Sequence, residues 1–216
     1  MRGPVGTDVA RAFDAMWRRA TEELVALPTV LHVGVESPAA VVAADLPRAQ
    51  RIAALYEWLA GRAQESLEIT DAYLVAPSRL LAAFEAAARR GVEVRLLLPG
   101  RNNHPLAGAA ARRIYQRLLD AGVHIFEWEG VMVHAKTAVV DGEVTLVGSS
   151  NLDPLSMRRN YELNLVVVDP VTGLGMREMF ARDLVGARRV ESDAWRRRPL
   201  WQRLAESTAA VFAPNL

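Results

Sequence analysis

The sequence predicts an α/β domain in which a mixed sheet carries helices on both faces. Three observations predict it. From Arg48 onward, strand-like apolar runs alternate with amphipathic helical stretches; glycine or proline closes most of them; and Asp141-Gly142 joins two apolar runs as a hairpin turn does.

Taken in order, Val9, Phe13, Met16, Trp17 and Ala20 recur at helical spacing between Thr7 and Leu24, behind a Thr7 or Asp8 cap. Residues 1–24 therefore form an amphipathic helix. Residues 25–47 read as strand and linker, with an apolar run from Val30 to Val35 and prolines at 28, 38 and 47. A helix from Arg48 to Gln64 leads to a strand over Leu67–Val75, a helix over Ser78–Arg90 closed by Gly91, and a strand over Val92–Leu98 stopped by Pro99-Gly100. The next helix, Pro105–Ala121, has Gly122 after it and precedes a strand over Val123–Trp128. Lys136–Val140 and Val144–Gly148 form the hairpin arms, Glu162–Asp169 a last strand, and Leu174–Ala187 and Pro199–Phe212 the last helices.

Composition removes several function classes. The 216 residues include no cysteine, which excludes disulfide scaffolds and thiolate-held zinc or iron-sulfur centres. No apolar run reaches the roughly 18 to 20 residues that span a bilayer, and the first twenty residues interleave charge where a signal peptide has a continuous apolar core. The chain is expected neither to cross a membrane nor to be exported by itself. A net charge of +1 leaves no broad electrostatic footprint for duplex nucleic acid. Of the 26 Lys and Arg side chains, only Lys136 is a lysine. An isolated lysine in an arginine-rich chain suggests a place where a planar guanidinium will not serve.

The neighbours of that lysine carry the chemistry. Residues 134–151 read HAKTAVVDGEVTLVGSSN, that is H-x-K, four residues, Asp141, six residues, then G-S-x-N. Six specified positions at fixed spacing arise by chance at roughly one in 10⁸ starting points on average amino-acid usage, so coincidence is negligible. On an extended chain His134 and Lys136 project from one face and can converge on one anion. The hairpin returns Gly148, Ser149 and Asn151 beside them, a close-approaching backbone with hydroxyl and amide donors. This set can hold a phosphoryl group without a metal.

The pattern resembles the signature of the phospholipase D superfamily, and NNHPLAGAAARRIYQRLLDAGVHIFEWEGVMVHAK with GSSNLDPLSMRRNYELN looks most like the C-terminal catalytic half of bacterial cardiolipin synthases. The resemblance implies a phospholipase D-like layered sandwich, with residues 48–190 as the catalytic domain. It also implies metal- and cofactor-free transfer in two steps, in which one motif histidine attacks phosphorus to form a phosphohistidine and a second protonates the departing alcohol. Carried over by position, His134 is the nucleophile or the general acid, Lys136 binds the phosphate, Ser149 and Asn151 donate to its oxygens, and Asp141 holds the motif together. Glu162, at the start of the following strand, occupies the place of an acidic residue that accepts from the histidine ring nitrogen facing away from substrate. The plain alternative is an acidic residue at an exposed strand start.

Asn103 and His104 follow a strand end, where a headgroup contact competes with an ordinary loop role. Asp153 reads as a turn residue before Pro154, and His32 and His124 as structural histidines in apolar runs. Residues 191–216 form a basic amphipathic C-terminal helix in which Arg196–Arg198 precede a stripe of Leu200, Trp201, Leu204, Thr208, Val211 and Phe212. That stripe suits an anionic lipid interface or docking on the chain's own core.

One H-x-K supplies one histidine, and the implied mechanism needs two. The second comes from another copy of the chain or from a preceding half. Residues 6–20 align without gaps on 173–187, matching Gly6 with Gly173, Phe13 with Phe180 and Ala20 with Ala187, and each follows a Pro-Val pair. If this echo is more than likeness between amphipathic helices, the chain starts with the closing helix of a missing phospholipase D-like half. Three functions follow: phosphatidyl transfer making cardiolipin from phosphatidylglycerol, phosphodiester hydrolysis by a homodimer, or a silent membrane-associated half-enzyme. The first implies a phospholipid substrate and a peripheral position on the cytoplasmic side of the bacterial inner membrane. Nucleic acid is not the favoured partner.

Overall fold

A computed structural model describes residues 4–20, 31–32, 39–45 and 51–212. Its centre is one nine-stranded mixed sheet. In chain order the elements are α1 (Pro4–Ala20), β1 (Leu31–His32), β2 (Ala39–Asp45), α2 (Arg51–Arg62), β3 (Ser66–Thr70), α3 (Ser78–Arg89), β4 (Glu93–Pro99), α4 (Pro105–Asp120) and β5 (His124–Trp128). There follow β6 (Thr137–Val140), β7 (Val144–Gly148), α5 (Pro154–Arg158), β8 (Glu162–Val168), α6 (Pro170–Val185), β9 (Ala187–Arg189), α7 (Ser192–Arg196) and α8 (Leu200–Phe212). The strand order is β1-β2-β8-β7-β6-β3-β4-β5-β9.

Only β3, β4 and β5 run parallel, because α3 and α4 return the chain between them; every other pairing is antiparallel. Side-chain alternation then assigns the two faces. Leu67, Ile69, Leu96 and Leu98 enter the main core with Ile52 and Tyr56 of α2, Phe84 of α3 and Tyr115 and Leu118 of α4. The intervening Glu68 and Arg95 point to the other face, where Arg177 and Phe180 of α6 meet them. Helices thus cover both faces, as the sequence predicts.

Asp141-Gly142 makes the expected hairpin turn between β6 and β7. Both residues have positive φ, 53° and 68°, the mirror-image turn whose twist matches the strands it joins.

Several elements depart from the expectation. Residues 39–45, expected within the linker, form a full strand paired along its length with β8. Of the Val30–Val35 strand only Leu31–His32 lies within the described residues, as do none of 21–24 or 46–50. The strand expected over Leu67–Val75 ends at Thr70, because the Asp71 carboxylate accepts from the N–H of Tyr73 at 2.8 Å and turns the chain out of the sheet. The helix expected from Leu174 starts at Pro170, where Asp169 accepts from the N–H of Thr172 at 2.8 Å. Ala187 leaves that helix to begin β9, an edge strand on β5. Helices α1 and α6 each begin at the proline of their Pro-Val pair.

Candidate active site

One end of the sheet gathers the motif. Thr137, the first residue of β6, pairs with Thr70, the last of β3, and Gly148, the last of β7, pairs with Asn164 near the start of β8. His134 and Lys136 therefore stand just before β6, beside Ser149 and Asn151 just after β7, and the loop after β4 opens at the same end. They leave the sheet before regular pairing starts, where the extended-strand reading of the sequence placed them inside it.

Asp141, in the turn that follows β6, lies at the opposite end of the hairpin from His134 and Lys136. The Asp141 carboxylate accepts from the backbone N–H of Gln64 at 3.0 Å, Glu65 at 2.8 Å and Ser66 at 2.9 Å, and so fixes the hairpin tip to the start of β3. Gly148 is required because a Cβ there would collide with the side-chain amide of Asn164, which lies across it and donates to Ser150 Oγ at 2.7 Å.

Lys136 is buried, and its Nζ donates to the carbonyl of His134 at 2.7 Å. Burial lowers its pKa, while Asp71, Glu162 and Asp153 act in the opposite direction and favour the charged form. His134 is exposed. Partial burial, and next the charge of Lys136, hold its imidazole below the ordinary histidine pKa, so the neutral, nucleophilic ring is favoured. Asp71 is fully buried, and burial raises its carboxyl to about 8 against the pull of the Tyr73 and Leu152 N–H groups and of Lys136. Asp153 is raised by burial also.

Two of the expected site residues bind each other in this structure. Ser149 Oγ, expected to donate to phosphate, donates to Glu162 Oε2 and accepts from the N–H of Leu163 at 3.0 Å. Glu162, expected to accept from the His134 ring, takes Ser149 on one oxygen and the Asn160 amide at 3.2 Å on the other. Glu162 is buried rather than at an exposed strand start, so its carboxylate needs donors close by, and these are the nearest. Asn151 donates to Ser156 Oγ at 3.3 Å, and its carbonyl oxygen is buried without a partner among the described residues. Asp153 is the N-cap of α5, accepting from Ser156 N at 2.7 Å.

The loop after β4 reaches the same place. Tyr73 stands edge-on to His134 with ring centroids 6.1 Å apart and faces His104 at 5.8 Å, while its hydroxyl donates to Asn103 Oδ1 at 2.6 Å. Asn103 and His104 are thereby brought to the motif through a tyrosine. A cavity of about 220 Å³ opens there, lined by Tyr73, His104, Asn151, Asp153 and Asn160 among others. His124 lies away from it, its Nδ1 3.0 Å from Arg189; His32 is in β1, with its side chain outside the described residues. Among the described residues no three His, Asp or Glu side chains are grouped as a metal requires.

A domain family described as cardiolipin synthase, PLD-like domain matches residues 59–184, more than half of the chain. The chain belongs to this phospholipase D-like family. Cardiolipin synthase A of Klebsiella pneumoniae is 33% identical over 230 residues, and that of Salmonella arizonae 34% over 232. Each match takes in all of this chain and 46% of the relative, so the chain spans about half the length of the curated relatives it matches. Among solved structures, Nuc, a phospholipase D family member from Salmonella typhimurium, superimposes with a TM-score of 0.63 at 22% identity, covering 72% of this chain and all of Nuc. Phosphatidylserine synthase of Haemophilus influenzae superimposes with a TM-score of 0.65 at 17% identity, covering 88% of this chain and 46% of its own. These two likenesses establish the fold, a phospholipase D-like layered sandwich.

Within this phospholipase D-like domain, two site residues escape the motif reading. Asp71 ties together Tyr73 and the segment after Asn151, accepting from Leu152 N at 3.1 Å, and Tyr73 sits between the two histidine rings. The available signal was an aspartate within a strand-like run, which is unfavourable inside a buried strand and favourable where a strand must turn.

Proposed function

We propose that this chain supplies one of the two histidine motifs of a phosphatidyl-transfer site that makes cardiolipin from phosphatidylglycerol. The observation that carries the reading is the pairing of an exposed imidazole, held below its ordinary pKa, with a buried ammonium on the same short segment. In this reading a ring nitrogen of His134 attacks the substrate phosphorus as the bond to the departing glycerol breaks. The second histidine motif donates a proton to that alcohol. A hydroxyl of a second phosphatidylglycerol then attacks the phosphohistidine, giving its proton to the second histidine as the P–N bond breaks and the ring of His134 is released. Lys136 neutralises the non-bridging oxygens, with Asn151 beside it. Glu162 acts through Lys136 by keeping it charged, and Asp71 adds to this once it ionises. Ser149 acts through Glu162. Asn103 and His104 contact the headgroup by way of the Tyr73 loop.

The second motif comes from a preceding half, of which α1 would be the closing helix, or from another copy of this chain. The common start of α1 and α6 at Pro-Val supports the first. The substrate places the work peripherally at the cytoplasmic face of a bacterial inner membrane. Hydrolysis by two copies is the second reading, favoured by one observation: a chain that this one covers completely shares the fold.

The test is conversion of phosphatidylglycerol in vesicles, with chelator present, by the purified chain alone, by the chain mixed with a half carrying the other motif, and by His134→Ala. Cardiolipin from the mixture or from the chain, lost by at least about a thousandfold in His134→Ala, is the expected result. Phosphatidic acid instead moves the reading to hydrolysis, and undiminished turnover in His134→Ala rejects the site.

A further inference from the structure

Helix α8 is docked with its polar side inward. Gln202, Glu206 and Ala209 lie on the side turned to α4, where Glu206 and Ala209 are buried and Glu206 accepts from Arg198 at 2.7 Å. A helix turn brings Leu200, Trp201, Leu204 and Val211 together on the opposite side, and these four side chains are 68 to 72% exposed. A helix that only completes a globular core turns its apolar stripe toward that core. Here the helix docks on the domain while its apolar stripe stays exposed among the described residues.

The borders of the stripe are cationic. Arg203 lies on α8 between the stripe and the docked side, Arg197 precedes the helix, and Arg113 of α4 lines a small cavity together with Arg203. Among the described residues, the guanidinium of none of these three has a hydrogen-bond or ion-pair partner, whereas those of neighbouring Arg196 and Arg198 are held by Asp120 and Glu206. Trp201 stands at the N-terminal end of the stripe and also lines a groove of about 610 Å³ whose far wall is the Arg101–Asn102 segment of the site loop. An exposed tryptophan with apolar neighbours and unpaired guanidinium groups on the flank matches a lipid headgroup boundary.

We propose that α8 is an interfacial helix that lays Leu200, Trp201, Leu204 and Val211 into an anionic lipid surface while Arg113, Arg197 and Arg203 meet the lipid phosphates. Charge selects this occupant over a second copy of the chain, since a symmetric pairing through the stripe brings a second set of the same arginines to one seam. The proposal rests on the phospholipid reading only for the orientation it implies, with the site loop facing the membrane that holds the substrate.

Flotation of the full chain with phosphatidylcholine vesicles, with and without phosphatidylglycerol, tests it. Binding is expected only with the anionic lipid. It should fall about tenfold or more in Leu204→Asp and about a hundredfold when Arg197 and Arg203 are both changed to Glu. High salt should weaken the parent as well. Trp201→Ser is a second stripe variant, and unchanged melting temperatures show that these exposed substitutions leave the fold intact. Quenching of Trp201 by brominated lipid, absent in Trp201→Phe, places the stripe at the interface. Undiminished binding by Leu204→Asp, equal binding to neutral vesicles, or a dimer in solution that Leu204→Asp dissociates overturns the proposal. His134→Ala should bind vesicles as the parent does, so failure of the transfer chemistry and failure of the lipid surface are read separately.

Discussion

Glu68, Glu85 and Glu127 are buried and each meets two arginines, whereas Asp71, Asp153 and Glu162, buried at the site end of the sheet, are held by backbone N–H, hydroxyl and amide donors. The first group joins layers. Glu68 of β3 takes Arg95 of β4 at 2.5 Å and Arg177 of α6 at 3.0 Å; Glu127 of β5 takes Arg112 of α4 at 3.0 Å and Arg188 of β9; Glu85 of α3 takes Arg89 at 3.1 Å and Arg117 of α4. In the second group no arginine reaches hydrogen-bond distance among the described residues, and the nearby cation is the sole lysine. A buried carboxylate gripped by guanidinium forks leaves neither partner free for anything else. Neutral donors satisfy the site carboxylates and leave the charge of those that are ionised to act on Lys136, whose ammonium keeps N–H groups for phosphate oxygens. The arginine bias of the chain and its one exception therefore have a common cause: forks where structure is wanted, a compact charge where a ligand must enter and leave.

The largest effect should come from making the second group resemble the first. Lys136→Arg keeps the charge but offers a planar fork to Asp71, Asp153 and Glu162. Turnover should fall about a hundredfold or more, and affinity for inorganic phosphate, followed by its effect on the His134 proton resonances, should weaken about tenfold. The melting temperature should hold or rise. Phosphate affinity equal to the parent's would break the contrast, because it would show that a guanidinium serves equally well at 136.

The reciprocal change acts on stability. Glu68→Ala leaves Arg95 and Arg177, both largely buried, facing each other without their carboxylate. The expected loss is about 3 kcal/mol in urea unfolding, with turnover per folded molecule preserved. Adding Arg177→Met should recover part of the loss, since a matched apolar pair tolerates burial better than an orphaned charge. If Glu68→Ala costs nothing, the two-arginine clamps are surface decoration and the comparison loses its structural side.

How much of this was legible in the sequence follows the same division. The hairpin with Asp141 at its turn, the alternation of strands and helices, and the grouping of His134, Lys136 and Asn151 are encoded in local spacing, and local spacing is what a sequence displays. The start of α6 was displaced because Asp169 caps it five residues before the apolar spacing begins. β2 was hidden because its alanine- and valine-rich run lies between prolines and becomes a strand only by pairing with β8, more than a hundred residues later. The contact between Glu162 and Ser149 is hidden in the sequence for a related reason. The motif fixes which residues meet but not which donor is nearer once Asn160 and Ser149 stand beside the same carboxylate. Tyr73 and the clamps of Glu68 and Glu127 join positions from separate elements, which no linear spacing reveals.

The most specific effect concerns Asp71, which belongs to the second group yet has no ion-pair partner in hydrogen-bond contact. Burial raises its carboxyl to about 8, with Asp153 adding to the rise and Lys136 opposing it. In the unfolded chain the same group titrates near 3.9. Between those values the folded state retains a proton that the unfolded state has released, so stability falls as pH rises through the window from about 4 to about 8. Asp71→Asn removes that proton while keeping an oxygen able to accept from Leu152 N or Tyr73 N. Melting temperatures of the two proteins measured from about pH 5 to about pH 9 should therefore converge or cross, with the variant gaining on the parent as pH rises. Parallel curves would mean that Asp71 is ionised throughout, held by its two N–H donors and Lys136 together. It would then be a full ion-pair partner of Lys136, and the site carboxylates would differ from the clamped glutamates only in which cation they use.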